Sequence, residues 1–117
     1  MKKVLICDDD DGIVEVIKIV LEEKGYKVET LGSSEDVVEK INKVKPSLIL
    51  LDLWMPHLTG QEIAVELRKD PITRNIPIVI ISASSNTKRI SQDIKASDCL
   101  LKPFDIDDLE KVVEKYL

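Results

Sequence analysis

Long apolar runs and glycine-rich motifs are absent from this sequence of 117 residues, and only 3% of the residues are aromatic. No stretch approaches the roughly 20 apolar residues that span a bilayer, and the Met1–Lys3 start leads into only four apolar residues. We therefore expect neither a membrane span nor a signal peptide, and we expect a cytoplasmic protein. The four glycines form no G-x-G-x-x-G motif, which argues against a dinucleotide-binding loop.

Positive charge is in deficit, because 22 acidic residues outnumber 17 basic ones and give a formal net charge of -5. This balance would repel a phosphate backbone, and no basic stripe follows the last predicted helix, so we expect no direct binding to nucleic acid. The chain has two cysteines, Cys7 and Cys99, each inside an apolar run. That placement is typical of buried, reduced thiols rather than of a disulfide-bonded secreted protein.

Length and a hydrophobic content of 44% predict one domain over residues 1–117, without an output domain. A run with charges at Lys27 and Glu29, Lys27–Leu31, is typical of a strand at a sheet edge. Four other runs are continuously apolar and rich in branched residues, as in strands buried on both faces: Val4–Cys7, Leu48–Leu51, Ile78–Ile81 and Cys99–Leu101.

Segments with helical periodicity separate these runs. Capping residues support the helices, with Gly25 after the first, Ser33 or Ser34 before the second and Asp105 before the last. The fourth helix, Asn86–Ile94, is the most polar. Apolar positions recur at steps of three and four in three helices: Ile13, Val16, Ile17, Val20 and Leu21, then Val37, Ile41 and Val44, and finally Ile106, Leu109, Val113 and Tyr116.

Five alternations of strand and helix predict an α/β fold with a parallel sheet covered on both faces. The edge character of the second strand favours a flavodoxin-like three-layer αβα sandwich with five strands in the order 2-1-3-4-5 and five helices. In that order the first and fifth strands are three spacings apart, roughly 14 Å at about 4.8 Å each. Cys7 and Cys99 would then be too far apart to form a disulfide.

Polar side chains follow four of the five strands of this predicted sheet. Asp8 and Asp9 follow the first, Asp52 the third, Ser82 the fourth and Lys102 the fifth. Because the carboxyl ends of parallel strands meet at one edge, we expect these side chains to lie together where such folds bind ligands. The next two aspartates, at positions 10 and 11, are interpreted as ordinary residues of a helix N-terminus.

Three carboxylates in a partly dehydrated pocket would repel one another and need a positive partner. A hard cation with oxygen ligands, Mg²⁺ or Mn²⁺, meets this need, and Lys102 adds a second positive charge. A carboxylate, a metal, an ammonium group and the Ser82 hydroxyl are the components required for phosphoryl transfer to Asp52. Asp52 would be the phosphoacceptor, and water could hydrolyse the resulting acyl phosphate.

The whole chain resembles a response-regulator receiver domain of a two-component signalling system. Separately the matching motifs are weak, but together and in order they are specific. They are Asp8-Asp9, Asp52-Leu53-Trp54-Met55-Pro56 with Gly60, Ser82-Ala83, and Lys102-Pro103-Phe104.

This resemblance implies that a histidine kinase or a histidine phosphotransfer protein donates the phosphoryl group from a phosphohistidine. It also implies that Asp9, Asp52 and the backbone carbonyl of Trp54 bind Mg²⁺ directly, with Asp8 assisting. His57, the only histidine, is interpreted as a solvated loop side chain rather than as a phosphate carrier.

The resemblance further implies that Ser82 and Lys102 contact the phosphoryl oxygens and that the bond between Lys102 and Pro103 is cis. Phosphorylation would shift the Ser82 hydroxyl inward and rearrange the face made by the fourth helix, the fifth strand and the fifth helix. That face would bind the downstream protein.

Three further positions are assigned to switching and phosphate lifetime. By analogy with the family, Trp54 and Ser84 would control access of water to the phosphorylated residue. Receivers usually carry an aromatic residue three positions before the lysine, where this chain has Cys99. We hypothesise that phosphorylation is retained while the conformational response is weaker or follows a different route.

Two alternative functions are open at this stage. A phosphohydrolase of the haloacid dehalogenase type also forms an aspartyl phosphate, but such enzymes carry a second aspartate two residues beyond the nucleophile, where this chain has Trp54. A pseudo-receiver would bind partners without phosphorylation. The complete acidic, hydroxyl and lysine set argues against it, and Cys99 argues weakly for it.

Overall fold

The computed structural model describes residues 2–32, 36–53, 60–83, 87–93 and 96–117. Within these ranges strands and helices alternate five times, as the sequence predicts. The strands are β1 (Lys3–Cys7), β2 (Lys27–Leu31), β3 (Leu48–Asp52), β4 (Ile78–Ser82) and β5 (Asp98–Leu101). The helices are α1 (Asp11–Glu23), α2 (Val37–Val44), α3 (Gly60–Lys69), α4 (Thr87–Asp93) and α5 (Ile106–Tyr116).

The five strands form one parallel sheet in the order β2-β1-β3-β4-β5. This confirms the predicted flavodoxin-like order, with the charged strand β2 at one edge. Strands β3 and β4 lie between β1 and β5, and both cysteines are free thiols. Burial beside Asp8 raises the pKa of the Cys7 thiol to about 12, so Cys7 is a neutral core residue.

Two apolar layers sandwich the sheet because alternate residues of each buried strand point to opposite faces. On one face Leu5 and Ile49 pack with the buried residues of α2 and α3, and on the other face Ile6 and Leu50 pack with those of α1 and α5. Each fully buried aliphatic side chain contributes about 1.5 to 3 kcal/mol relative to exposure. The sheet is therefore a rigid base for the residues at its ends.

Helix ends match several predicted caps. Gly25 follows α1 with a φ of 90°, and Asp105 caps α5 in a capping box with Asp108. Helix α2 differs, because its N-cap residue is Asp36, which makes no capping hydrogen bond. The predicted caps at positions 33 and 34 lie outside the described residues, as do both ends of the predicted fourth helix. Among the described helices, none combines the length and the apolar character needed to span a membrane.

Two residues predicted to lie in apolar stripes are instead half exposed. Val16 on α1 and Ile106 at the start of α5 each keep 50% of their surface accessible. The sheet covers a smaller part of each helix surface than the apolar pattern predicted. Apolar residues at the edge of each pattern are therefore partly exposed to solvent. Both residues lie on the side of the molecule where α1 approaches α5.

Candidate functional site

Strand register brings the predicted site residues to one edge of the sheet. Cys7 pairs with Leu51, so the residues that follow, Asp8 and Asp52, lie side by side at the ends of neighbouring strands. Asp52 is itself the last residue of β3 and pairs with Ile81 of β4. The next residues along, Ser82 on β4 and Lys102 after β5, belong to the same edge.

The carboxylates of Asp8, Asp9 and Asp52 form a compact cluster. One oxygen from each side chain lies within 4.8 Å of the others. Asp8 and Asp52 are buried, whereas Asp9 is exposed, so the cluster opens to solvent on one side. The prediction that these three side chains lie close together is confirmed.

Lys102 supplies the positive charge nearest to this cluster. Its Nζ lies 2.9 Å from Asp8 Oδ2 and 4.0 Å from Asp52 Oδ2, and its side chain is 17% exposed. The contact with Asp8 is ionic but lacks hydrogen-bond geometry, since the buried Oδ2 accepts no hydrogen bond within the described part of the chain. Sequence reasoning assigned Asp8 to metal binding alone and did not foresee this ion pair.

The loop between β1 and α1 is fixed by its own aspartates. Asp8 Oδ1 accepts a hydrogen bond of 2.9 Å from the Asp10 amide, and Asp10 Oδ1 accepts from the amides of Gly12 and Ile13 at 3.1 and 3.3 Å. Asp10 therefore caps α1, as interpreted from the sequence. The same capping holds the backbone of Asp8 and Asp9 in place.

Ser82 and Lys102 are joined through their backbones. The Lys102 amide donates a 2.9 Å hydrogen bond to the Ser82 carbonyl oxygen. The Ser82 side chain is buried at the end of β4, and the peptide bond between Lys102 and Pro103 is cis, as the resemblance implied. The structure thus places Ser82 at the end of β4 and Lys102 directly after the adjacent strand β5, with the ammonium group beside the carboxylates.

The charge of this site is unbalanced, because among the described residues one ammonium group faces three carboxylates. Two of the three carboxylates are buried, and a buried carboxylate needs a charged or hydrogen-bonding partner. The buried Asp8 Oδ2 accepts no hydrogen bond from the described residues, so an additional partner can be accommodated there. An all-oxygen cluster open to water on one side fits a hard divalent cation such as Mg²⁺.

Some predicted site positions lie outside the described residues. These are Trp54, with its backbone carbonyl, and Ser84, together with the loop residue His57. Cys99 is described: it is partly buried on β5 and packs against the apolar layer that includes Ile80. Burial and the Asp98 charge raise the pKa of its thiol, so Cys99 is neutral near pH 7.

An apolar groove adjoins the site and was not predicted. It runs between the start of α1 and the segment that follows β5, and Lys102 belongs both to it and to the carboxylate site. Val16 carries the signal that could have predicted the groove, because it lies at the edge of the apolar stripe of α1 and is exposed. The lining residues are Gly12, Ile13, Val16, Lys102, Pro103 and Phe104.

Comparison with known proteins identifies the family. Residues 4–114 match the family described as the response regulator receiver domain, and this match covers nearly the whole chain. The chain therefore belongs to the response regulator receiver domains, the phosphoacceptor modules of two-component signalling. Its fold, its acidic cluster and its lysine agree with that membership.

Individual relatives support this assignment. The chain is 37% identical over 111 residues to the response regulator ArlR of Staphylococcus saprophyticus. This alignment covers 93% of this chain and 49% of ArlR. A putative response regulator from Chloroflexus aurantiacus superposes with a TM-score of 0.93 at 29% identity, covering 98% of this chain and 96% of that one. The response regulator TrrA from Thermotoga maritima, in complex with Mg²⁺-BeF, superposes with a TM-score of 0.89 at 32% identity over 100% of both chains.

The chain spans about half the length of the curated relatives that it matches. Some of these relatives are named DNA-binding response regulators. The absence of direct nucleic-acid binding therefore stays a prediction for this chain. The family match favours a signalling domain over the phosphohydrolase alternative.

Proposed function

We propose that this domain accepts a phosphoryl group on Asp52 from the phosphohistidine of a histidine kinase or a histidine phosphotransfer protein, with Mg²⁺ bound beside the acceptor. The observation that carries this proposal is the cluster of Asp8, Asp9 and Asp52, together with the Lys102 ammonium group 4.0 Å from Asp52. TrrA, whose structure contains Mg²⁺-BeF, is a relative with the same fold and supports a metal-dependent site here.

In the proposed reaction, an oxygen of the ionised Asp52 carboxylate attacks phosphorus and the P–N bond to the donor histidine breaks. The imidazole leaves with a proton taken up from solvent, and an acyl phosphate is formed on Asp52. Water later attacks phosphorus, which releases inorganic phosphate and regenerates the carboxylate. No general base is needed for the first step, because a carboxylate is already ionised near neutral pH.

Each neighbouring side chain has a separate role in the proposal. Asp9, Asp52 and the backbone carbonyl of Trp54 would hold the cation, with Asp8 assisting. When bound, the cation supplies positive charge that neutralises the carboxylates and the phosphoryl oxygens. Lys102 would leave Asp8 and donate hydrogen bonds to a phosphoryl oxygen.

The Ser82 hydroxyl would donate to a second phosphoryl oxygen. Trp54 and Ser84 would set the lifetime of the phosphate. We further propose that a downstream protein binds the face formed by α4, β5 and α5. The free thiols of Cys7 and Cys99 are compatible with a reducing compartment, which supports the cytoplasm as the proposed location.

Acetyl phosphate tests the central proposal, because it donates a phosphoryl group without a kinase. With Mg²⁺ present, the intact mass of the wild-type protein should rise by one phosphoryl group that hydroxylamine removes. With a chelator present, no increase is expected. The emission of Trp54, the sole tryptophan, provides a second readout.

The outcome would favour the pseudo-receiver alternative if the protein gained no labile phosphate under conditions that modify another receiver in parallel. A gain that persisted after complete removal of divalent cations would contradict the metal-dependent part of the proposal alone. The two results are distinguishable in one series of samples.

We also propose that the phosphoryl donor docks on the apolar groove beside Lys102. The groove shares Lys102 with the site, so a protein seated there has its phosphohistidine close to Asp52. Exposed acidic residues flank the lining residues along the chain, Asp9 and Asp11 before Gly12 and Asp105 and Asp107 after Phe104. The matching partner surface is therefore apolar with basic residues at its borders.

The test uses a histidine kinase that phosphorylates the wild type. Val16→Glu is expected to lower the rate of transfer from this kinase by about tenfold or more, because it places a charge in an apolar contact. The rate with acetyl phosphate should not change, since Val16 is not a member of the acidic cluster. Phosphorylation kinetics with both donors measure this. The control is Ile72→Glu, which is 72% exposed near the opposite end of β4 and should leave both rates unchanged.

A further inference from the structure

Ser97, directly before β5, and Asp98, the first residue of β5, bind the end of helix α5. The Tyr116 hydroxyl lies 2.6 Å from the Ser97 carbonyl oxygen and 3.1 Å from Asp98 Oδ2, so its single proton is shared between these two acceptors. Lys115 Nζ lies 3.3 Å from Asp98 Oδ2. The last turn of α5 is thereby tied to the first residues of β5.

Helix α4 reaches one of these residues, Asp98, from the other side. The Ser91 hydroxyl donates a 3.2 Å hydrogen bond to the Asp98 carbonyl oxygen, and the Ala96 amide donates to the Ser91 carbonyl at 2.9 Å. Asp98 therefore accepts from α4 through its backbone and from α5 through its side chain. We call Ser97 and Asp98 the polar junction.

The sheet holds the polar junction in a fixed position. The Ser97 amide donates to the Ile78 carbonyl oxygen at 2.8 Å, and the Ile78 amide donates to Ser97 Oγ at 3.2 Å. Asp98 Oδ1 accepts a hydrogen bond of 2.9 Å from the Cys99 amide. Loss of the contact to α4 would leave the hydroxyl of the buried Ser91 in need of a partner.

Helix α4 depends on these contacts because its described residues offer little apolar surface on the inner face. The helix has seven residues, and the residues buried on that face include Thr87 and Ser91, which carry hydroxyl groups. Ile90 is only partly buried against the core. A helix that buries so little apolar area gains little from the hydrophobic effect, so hydrogen bonds decide how firmly it is held.

The charge of Asp98 is stabilised by its neighbours. Burial raises the pKa of this carboxyl, but hydrogen bonds from the Cys99 amide, Lys115 and Tyr116 lower it by more, so the pKa lies below its usual value. Asp98 is therefore ionised near pH 7. An ionised acceptor makes the hydrogen bonds to α5 stronger than those between neutral groups.

We infer that the polar junction couples α4 to α5, so that loosening either helix loosens the other through Asp98. The link is direct, since one residue accepts hydrogen bonds from both helices and is fixed to the sheet. It does not depend on phosphorylation and therefore does not rest on the proposed function. Any rearrangement of this face either preserves the junction and turns α4 about Ser91 or breaks the contacts to both helices together.

A double-mutant cycle tests the coupling. Ser91→Ala and Tyr116→Phe each remove a hydroxyl and keep the rest of the side chain in place. Each should shift the folding equilibrium toward the unfolded state by about two- to tenfold. Once one hydroxyl has been removed and the junction is loosened, removal of the other should cost less. The shift of the folding equilibrium in the double variant should therefore be smaller than the product of the two single shifts by a factor of about two or more. Urea unfolding measures all four proteins.

Amide hydrogen exchange adds a local readout. In Tyr116→Phe, exchange should rise by about twofold or more at residues 87–93 of α4 as well as at the end of α5. The control pair is Ser91→Ala with Tyr26→Phe, which removes a tyrosine hydroxyl beside β2 at the far edge of the sheet and should be additive. Additive effects in the Tyr116 cycle, with faster exchange confined to α5, would overturn the inference.

Discussion

Asp52→Asn is expected to abolish covalent phosphorylation completely while leaving the fold intact. The amide has nearly the same shape as the carboxylate, so β3 and its pairing with β4 are preserved. Its oxygen is neutral and a poor nucleophile, so no acyl phosphate can form. Intact mass after incubation with acetyl phosphate and Mg²⁺ should show the unmodified protein only, while circular dichroism should show unchanged secondary structure.

A matched control removes one carboxylate elsewhere. Asp36→Asn changes an exposed residue before α2 whose side chain makes no capping hydrogen bond. This variant should be phosphorylated to the wild-type level. Phosphate retained at that level on the Asp52 variant would mean that another carboxylate is the acceptor, and peptide mapping would then locate it.

Lys102→Met should destabilise the metal-free protein by about 2 to 4 kcal/mol, somewhat less than breaking a fully buried pair because Lys102 is 17% exposed. Methionine keeps the apolar stem and removes the only cation within 4.0 Å of Asp8 and Asp52 among the described residues. Such a loss is a large share of the roughly 5 to 15 kcal/mol by which domains of this size are stable.

Added Mg²⁺ should recover part of this loss, because a bound cation replaces the missing positive charge and stabilises the folded state that binds it. Urea unfolding with a chelator and with saturating Mg²⁺ gives the two free energies of unfolding. Lys43→Met, an exposed lysine in none of the ion pairs found among the described residues, should change neither value. An equal loss in both conditions would mean that Lys102 stabilises the fold by packing rather than by charge.

The sheet could be predicted from the sequence because its strands are buried on both faces. Continuous apolar runs such as Leu48–Leu51 have few alternatives in a chain of this length, and the charges of β2 indicated an edge position. The strands extend one residue further than predicted at Asp52 and Ser82, because backbone pairing continues where side-chain polarity changes. The first polar side chain after an apolar run therefore locates the functional site, but it does not locate the end of the strand.

The gathering of the carboxylates could also be predicted, since topology alone brings the ends of parallel strands together. The preference of Lys102 for Asp8 over Asp52 could not, because it depends on side-chain distances that differ by about one ångström. The groove beside Val16 was missed for a related reason. Helical periodicity gives the direction of a side chain but not how far the neighbouring layer extends to cover it.

The response that follows phosphorylation stays a prediction. Cys99 stands where the family resemblance places an aromatic residue, and the structure shows a partly buried neutral thiol there. The polar junction lies immediately before it on the same strand. If the coupling through Asp98 holds, α4 and α5 can move together without an aromatic side chain at position 99.

The connection between β1 and α1 consists of Asp8, Asp9 and Asp10 alone. Within it one residue pairs with Lys102, the next completes the acidic cluster, and the third caps the helix. Inserting or deleting a single residue would displace at least one of these from its partner. We therefore expect this segment to tolerate no change in length, whereas the loop between α3 and β4, which carries none of these residues, should accept one more readily.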